Sequence, residues 1–221
     1  MANSNPKPKP APFTYADYIN WPEDERWELI NGQPYDMSPV PTRKHQKILG
    51  NLFRIIADIT DKSTCETYVA PFDIRLSEIK PDDTEKNIQI VKNKEEQGED
   101  NSQQEDNTIT TVVQPDISVF CNKEFLDEQG ACGAPDLAVE ILSQHTSYKD
   151  QTAKLNLYEK HGVKEYWVVN GEAPFVMIYR LDKNGTYKKP DYYKAGEQAE
   201  STVLGGEKIA LNRFIPDTRN V

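Results

Sequence analysis

Two short stretches, PDISVF (Pro115–Phe120) and PDLAVEILS (Pro135–Ser143), set carboxylates among apolar residues. Asp116 stands at the start of the first. In the second, Asp136 and Glu140 are four residues apart, a spacing that puts both on one face of an extended strand. Leu137, Ala138, Val139, Ile141 and Leu142 around Glu140 read as a strand buried on both faces. An ionised carboxylate rarely enters such a run without a cation or a hydrogen-bonding partner. A candidate cation follows in SYKDQTAKLNLYEKHG, where helical spacing gives one stripe to Asp150, Lys154, Leu157, Tyr158 and His161. Leu157 and Tyr158 read as core residues, so Lys154 lies on or beside the buried face.

Two carboxylates from adjacent strands and an inward lysine suit a hard cation such as Mg²⁺, with Mn²⁺ as a substitute. Such an ion takes oxygen ligands and keeps several waters. Asp116, Glu140 and the backbone carbonyl of Ile141 are the expected ligands. The ion would polarise a phosphodiester and lower the pKa of a bound water. Lys154 would orient that water or offset the developing negative charge. Simpler roles are open to the same residues. Proline before aspartate is common turn chemistry, which makes caps of Asp116 and Asp136. Glu140 and Lys154 can also form a structural ion pair.

The elements that must position these groups are legible from pattern. Thr14, with Asp17 three residues on, marks a helix start. WELINGQPYDM is a hairpin turned at Asn31-Gly32. Ile48, Leu49, Leu52, Ile55, Ile56 and Ile59 have the spacing of a long amphipathic helix after Pro41. ETYVAPFDIRLS, NIQIVKN and TITTVVQPDISVF are strand patterns. DLAVEILS, the helix ending at Gly162 and EYWVVN form a strand–helix–strand run that predicts a parallel pair. PFVMIYRLDKNGTYKKPDYY is a hairpin across Asn184-Gly185. The order predicts an α/β fold with a mixed central sheet flanked by helices, plus additional hairpins.

Composition bounds the rest. The 221 residues are 37% hydrophobic and 28% charged, enough for a sizeable core. Residues 1–12 read as a flexible proline- and lysine-bearing tail before one domain over 13–221. An acidic insertion spans about 82–107; its residues 82–106 hold nine acids and three lysines, net −6, which leaves −4 of the total −10 elsewhere. That charge argues against a simple basic nucleic-acid module. The start lacks a signal-peptide shape and no apolar run is long enough for a membrane span. Cys65, Cys121 and Cys132 fit no zinc spacing and read as reduced thiols, which predicts a cytoplasmic protein. No organic cofactor motif is present.

WELINGQPYDMSPVPTRKHQKILGNL, VAPFDIRL, PDISVF, GAPDLAVEILSQHT and KDQTAKLNLYEKHGVKEYWVVN together resemble the Uma-two family. This is a branch of the PD-(D/E)XK, restriction-endonuclease-like superfamily, and the similarity runs from about Phe13 to about Ile215. The resemblance implies a core of a helix, three strands, a helix and a fourth strand. It implies a Mg²⁺-dependent DNA endonuclease with Asp116 and Glu140 as catalytic acids. The superfamily's lysine, two residues after the glutamate, is Leu142 here, and the resemblance moves its role to Lys154. Glu28 of WELING is the candidate for a further acid, Asp73 a weaker one, and His45 matches a histidine common in the family. Cleavage of duplex DNA would call for a homodimer. Arg43, Lys44, Lys47 and Lys149 are candidate groove cations. The alternative is a non-catalytic DNA-associated or protein-interaction module that keeps the fold; a small-molecule hydrolase would instead need a closed pocket.

Overall fold

The structure is a computed structural model that describes residues 12–22, 24–37, 40–77, 107–143 and 148–215. The strand read in NIQIVKN, and almost all of the expected tail and acidic insertion, lie outside the described residues. In chain order the first elements are α1 (Tyr15–Tyr18), β1 (Trp27–Ile30), β2 (Gln33–Asp36), α2 (Arg43–Thr60), β3 (Glu66–Val69) and β4 (Ile74–Arg75). Then come β5 (Val112–Val113), β6 (Ile117–Phe120), β7 (Leu126–Asp127), β8 (Gly130–Cys132) and β9 (Leu137–Leu142). The chain continues with α3 (Tyr148–Lys160), β10 (Glu165–Asn170), β11 (Phe175–Arg180), β12 (Asp191–Lys194), β13 (Gln198–Ser201) and β14 (Glu207–Ala210).

These elements group into two compact units. The first comprises Met1–Val40, Asp73–Gln114 and Glu124–Gly133. Among the described residues its sheet runs β2-β1-β5-β4-β8-β7. Asp17 closes the start of α1 by accepting from the backbone N–H and the hydroxyl of Thr14, at 3.0 and 3.1 Å. The β1–β2 hairpin turns at Asn31 and Gly32, with φ of 50° and 73°. Both lie in the left-handed region that a tight two-residue hairpin turn requires. A Cβ on Gly32 would also stand 2.3 Å from that of Pro12, so glycine is needed twice over.

The second unit comprises Pro41–Phe72, Pro115–Lys123 and Ala134–Val221. Its sheet runs β12-β11-β10-β9-β6-β3, mixed as expected, and β13 and β14 form a separate ladder. β9 and β10 are parallel, with Leu137 opposite Glu165 and Glu140 opposite Val168. β6 runs antiparallel to β9 on its other side. One face of this sheet is built from Ile117, Val119, Leu137, Val139, Ile141, Trp167 and Val169, packed with Ile48, Leu49, Leu52, Ile55 and Ile56 of α2. The α2 stripe therefore covers the odd-numbered face of β9. Side chains alternate along a strand, so Ala138 and Glu140 project from the opposite face.

Two stretches read as single strands are each broken. TITTVVQPDISVF divides into β5 and β6, and ETYVAPFDIRLS into β3 and β4, with the halves in different sheets. Both breaks contain a proline, Pro115 or Pro71, which has no N–H to give to a ladder.

The cysteines also differ from expectation. Cys65 and Cys121, read as reduced thiols, form a disulfide, while Cys132 is free and buried. β3 pairs antiparallel with β6 so that Glu66 faces Phe120; one further step brings Cys65 opposite Cys121, with Cα atoms 3.9 Å apart. Strand pairing makes this contact across 56 residues of sequence, and no local spacing announces it. With Cys65 and Cys121 joined, the cysteines no longer point to a cytoplasmic location. Among the described residues, no helix is long and apolar enough to cross a membrane. Reducing the disulfide should lower the unfolding free energy by roughly 2–4 kcal/mol, because the uncrosslinked unfolded chain has more entropy. Urea denaturation with and without dithiothreitol measures this, and coincident curves would deny the crosslink a stabilising role.

Candidate active site

Asp116, His45, Glu140, Ile141 and Lys154 all belong to the second unit and form two neighbouring hydrogen-bonded sets, Asp116 with Ile141 and His45, and Glu140 with Lys154. Asp116 directly precedes β6. The register pairs Ile117 with Val139, so one step further Asp116 stands opposite Glu140. There its Oδ2 accepts from the Ile141 backbone N–H at 2.7 Å, which extends the pairing with β9 by a side chain. The same oxygen lies 3.3 Å from Nε2 of His45. His45 is placed by the first turn of α2, where its backbone N–H donates to the Thr42 hydroxyl, the N-cap of the helix. The imidazole is buried, and burial opposes its charged form. The hydrogen bond and charge of Asp116, the Ile141 backbone and the charge of Glu140 outweigh that and raise its pKa above the ordinary histidine value.

Glu140 Oε1 accepts two hydrogen bonds from α3, one from Lys154 Nζ at 2.7 Å and one from the Tyr158 hydroxyl at 2.9 Å. Lys154 and Tyr158 are one helical turn apart, so both reach the same oxygen from one face of α3. Glu140 and Lys154 each keep 15% of their side-chain exposure and Asp116 keeps 17%, so the group is open to solvent on one side. Tyr158 itself is fully buried. Tyr158 is the core residue its spacing predicts, and its hydroxyl adds a functional group whose one sequence signal is the i+4 spacing from Lys154.

The other candidates are placed elsewhere. Glu28 is buried in the first unit, where its Oε1 accepts from the Gln114 backbone N–H at 2.9 Å. Asp73, also in the first unit, accepts at Oδ1 from Gln114 Nε2 at 2.7 Å and from the Tyr18 hydroxyl at 2.9 Å. Burial, reinforced by the Asp73 charge, pushes the Tyr18 pKa far up. Asp136 has the capping role open to it from its proline context: its Oδ2 accepts from the Cys121 backbone N–H at 2.7 Å. Of the candidate groove cations, Arg43 and Lys47 are exposed on α2, and Lys44 pairs with Glu172 at 3.3 Å. The side chain of Lys149 lies outside the described set. A recess of about 20 Å³ beside His45 and Ile141 is far too small to enclose a small-molecule substrate.

The donors around Asp116 and Glu140 fit a hard cation in kind: two part-exposed carboxylates and a backbone carbonyl, with room for water on the solvent side. They are also satisfied without one, since Lys154, Tyr158, Ile141 and His45 already engage both carboxylates. Among the described residues, no group of three or more His, Cys, Asp or Glu side chains is arranged to hold a metal.

Comparison with known proteins follows the same lines. The family model Uma2, described as "Putative restriction endonuclease", matches residues 15–84 and 94–212. A crystal structure of "a putative nuclease belonging to DUF820 from Anabaena variabilis ATCC 29413" is similar in fold, with a TM-score of 0.65 at 17% identity. That alignment covers 92% of this chain and 98% of the other. No curated protein matches. The chain belongs to the Uma2 family of restriction-endonuclease-like proteins.

Proposed function

We propose that the chain is a Mg²⁺-dependent DNA endonuclease whose active group is Asp116, Glu140 and Lys154, supported by His45 and Tyr158. The observation that carries this reading is the β6–β9 register, which sets Asp116 across from Glu140, together with the Lys154–Glu140 pair and the partial exposure of all three groups. Family membership supports a nuclease, and the DNA substrate is inferred from it. Asp116, Glu140 and the Ile141 carbonyl would hold Mg²⁺ or Mn²⁺, which when bound polarises a phosphodiester oxygen and lowers the pKa of a bound water.

The chain's own residues have separable tasks. Lys154 carries a positive charge to Glu140, where it can steady negative charge building on a phosphate or orient an attacking water. Tyr158 fixes the rotamer of Glu140 by donating to the same oxygen. His45 and the Ile141 N–H hold Asp116, leaving its second oxygen for the ion. Duplex cleavage at two strands would use two copies of the chain.

A second reading has an observation in its favour. The hydrogen bonds among Asp116, Glu140 and their neighbours are self-sufficient, as a non-catalytic DNA-associated or protein-interaction module would need. Incubation of supercoiled plasmid with wild type and Asp116→Asn, in Mg²⁺ and in EDTA, separates the two. The nuclease reading expects nicked or linear product with wild type in Mg²⁺ alone, and at least a hundredfold less from the variant, on the order of one lost catalytic contact. Intact plasmid in every lane, across several DNA forms, would favour the module.

A further inference from the structure

The second unit contains a much larger concavity at the other end of β9. It has a volume of about 660 Å³, within the usual range for small-molecule sites. Asp136, immediately before β9, is on its wall, whereas Glu140 is four residues on, roughly 13 Å along an extended chain. The two places are therefore distinct.

Four cations line this cavity: Lys164, Arg180, Lys188 and Lys189. Two carboxylates, Asp136 and Asp191, accompany them, leaving a local surplus of two positive charges on a chain of net −10. The carboxylates are committed. Asp136 accepts from Lys164 at 2.6 Å, and Asp191 accepts from Arg180. Arg180 also donates to the buried Glu165 and to the Glu200 carbonyl, so its head is fixed. Lys188 and Lys189 are different. Both are exposed, and neither stands within ion-pair distance of a carboxylate among the described residues. The backbone N–H of Lys188 donates to the Arg180 carbonyl at 3.2 Å, which anchors the segment that carries both lysines at the cavity rim. Leu181 and Val203 add apolar surface to the lining.

From this arrangement we infer that the cavity is a binding site for a nucleotide, with Lys188 and Lys189 on its phosphate and the Leu181–Val203 wall against its base or sugar. Two exposed ammonium groups outside any close ion pair among the described residues, one of them acting at longer range on exposed Asp182, are suited to a phosphate, since charge-assisted hydrogen bonds are the strong ones. The apolar wall and the volume exceed what a bare anion requires. The site does not depend on the nuclease reading.

The test is calorimetric titration of the full chain with AMP, with inorganic phosphate and with a short single-stranded oligonucleotide. Wild type, Lys188→Glu/Lys189→Glu and Glu140→Gln are compared in EDTA. The inference expects AMP to bind wild type and Glu140→Gln alike, and the double variant about tenfold or more weakly. Both lysines are exposed, and a matching thermal melt confirms that the double variant is folded. Oligonucleotide binding that falls in parallel would identify a strand terminus as the source of the nucleotide, and oligonucleotide binding that does not fall would identify free nucleotide. No AMP binding by wild type, equal binding by the double variant, or inorganic phosphate binding as tightly as AMP would each overturn the inference.

Discussion

Glu140→Gln should lower DNA cleavage roughly a thousandfold, the upper range for loss of one preorganised electrostatic contact in an active site. The substitution keeps the shape of the side chain and removes its charge. A neutral amide is a poor ligand for a hard cation, and it offers Lys154 no counter-charge at the 2.7 Å contact. Tyr158 can still donate to the amide oxygen, so the β9–α3 packing survives. The stability cost should stay near that of one charged hydrogen bond, roughly 1–3 kcal/mol. Cleavage rates under conditions where both proteins are folded, checked by circular dichroism, measure the effect. Cleavage at the wild-type rate would remove Glu140 from the chemistry.

The largest stability effect should come from Glu165, far from that chemistry. Its carboxylate is fully buried at the start of β10. Oε1 accepts from Arg180 Nε at 3.1 Å, from the Thr202 N–H at 2.6 Å and from its hydroxyl at 2.5 Å. Oε2 accepts from the Ser201 hydroxyl at 2.8 Å and Trp167 Nε1 at 3.1 Å. Glu165→Ala strands all these donors, several of them without access to water, and leaves Arg180 without its buried counter-charge. The expected loss is about 3–5 kcal/mol. For a domain with a total stability of about 5–15 kcal/mol, that approaches unfolding at physiological temperature.

The same residue sets an acid dependence. Burial opposes ionisation of Glu165, but the hydrogen bonds from Thr202, Ser201 and Trp167 outweigh it and hold its pKa below the ordinary glutamate value. A pKa depressed by folding contributes stability that is fully present above the unfolded value, about 4.3, and is lost as pH falls through the folded one. Urea denaturation between neutral pH and pH 3 should show wild type losing this increment, while Glu165→Ala, already without it, shows a smaller decline. Parallel curves for the two proteins would assign acid sensitivity to other groups.

Local patterns carried much of the architecture. Asn31-Gly32 announced a hairpin because few residue pairs accept two left-handed conformations, and the isoleucine and leucine spacing in α2 matched a helix with one buried face. The β9–α3–β10 run was readable because its apolar segments differ in period and length. Within the candidate site, Asp116, Glu140 and Lys154 stood out because a charge in an apolar run requires a partner. The partner of Glu140 is Lys154 with Tyr158, the ion pair that the sequence offered as its simpler explanation. What was not legible depends on long-range pairing. Cys65 meets Cys121 only through the β3–β6 register, and the acceptor role of Glu165 depends on Ser201 and Thr202 folding back over it. The breaks at Pro71 and Pro115 were visible as prolines, but nothing local shows that the chain changes sheets there.

Calorimetric titration of Mg²⁺ into wild type and Glu140→Gln tests the central claim most directly, because it reads the metal site without assuming a substrate. Saturable binding to wild type that disappears in the variant is the predicted result. No binding to wild type, even with DNA present, would contradict the claim and leave Asp116, Glu140 and Lys154 as a structural network.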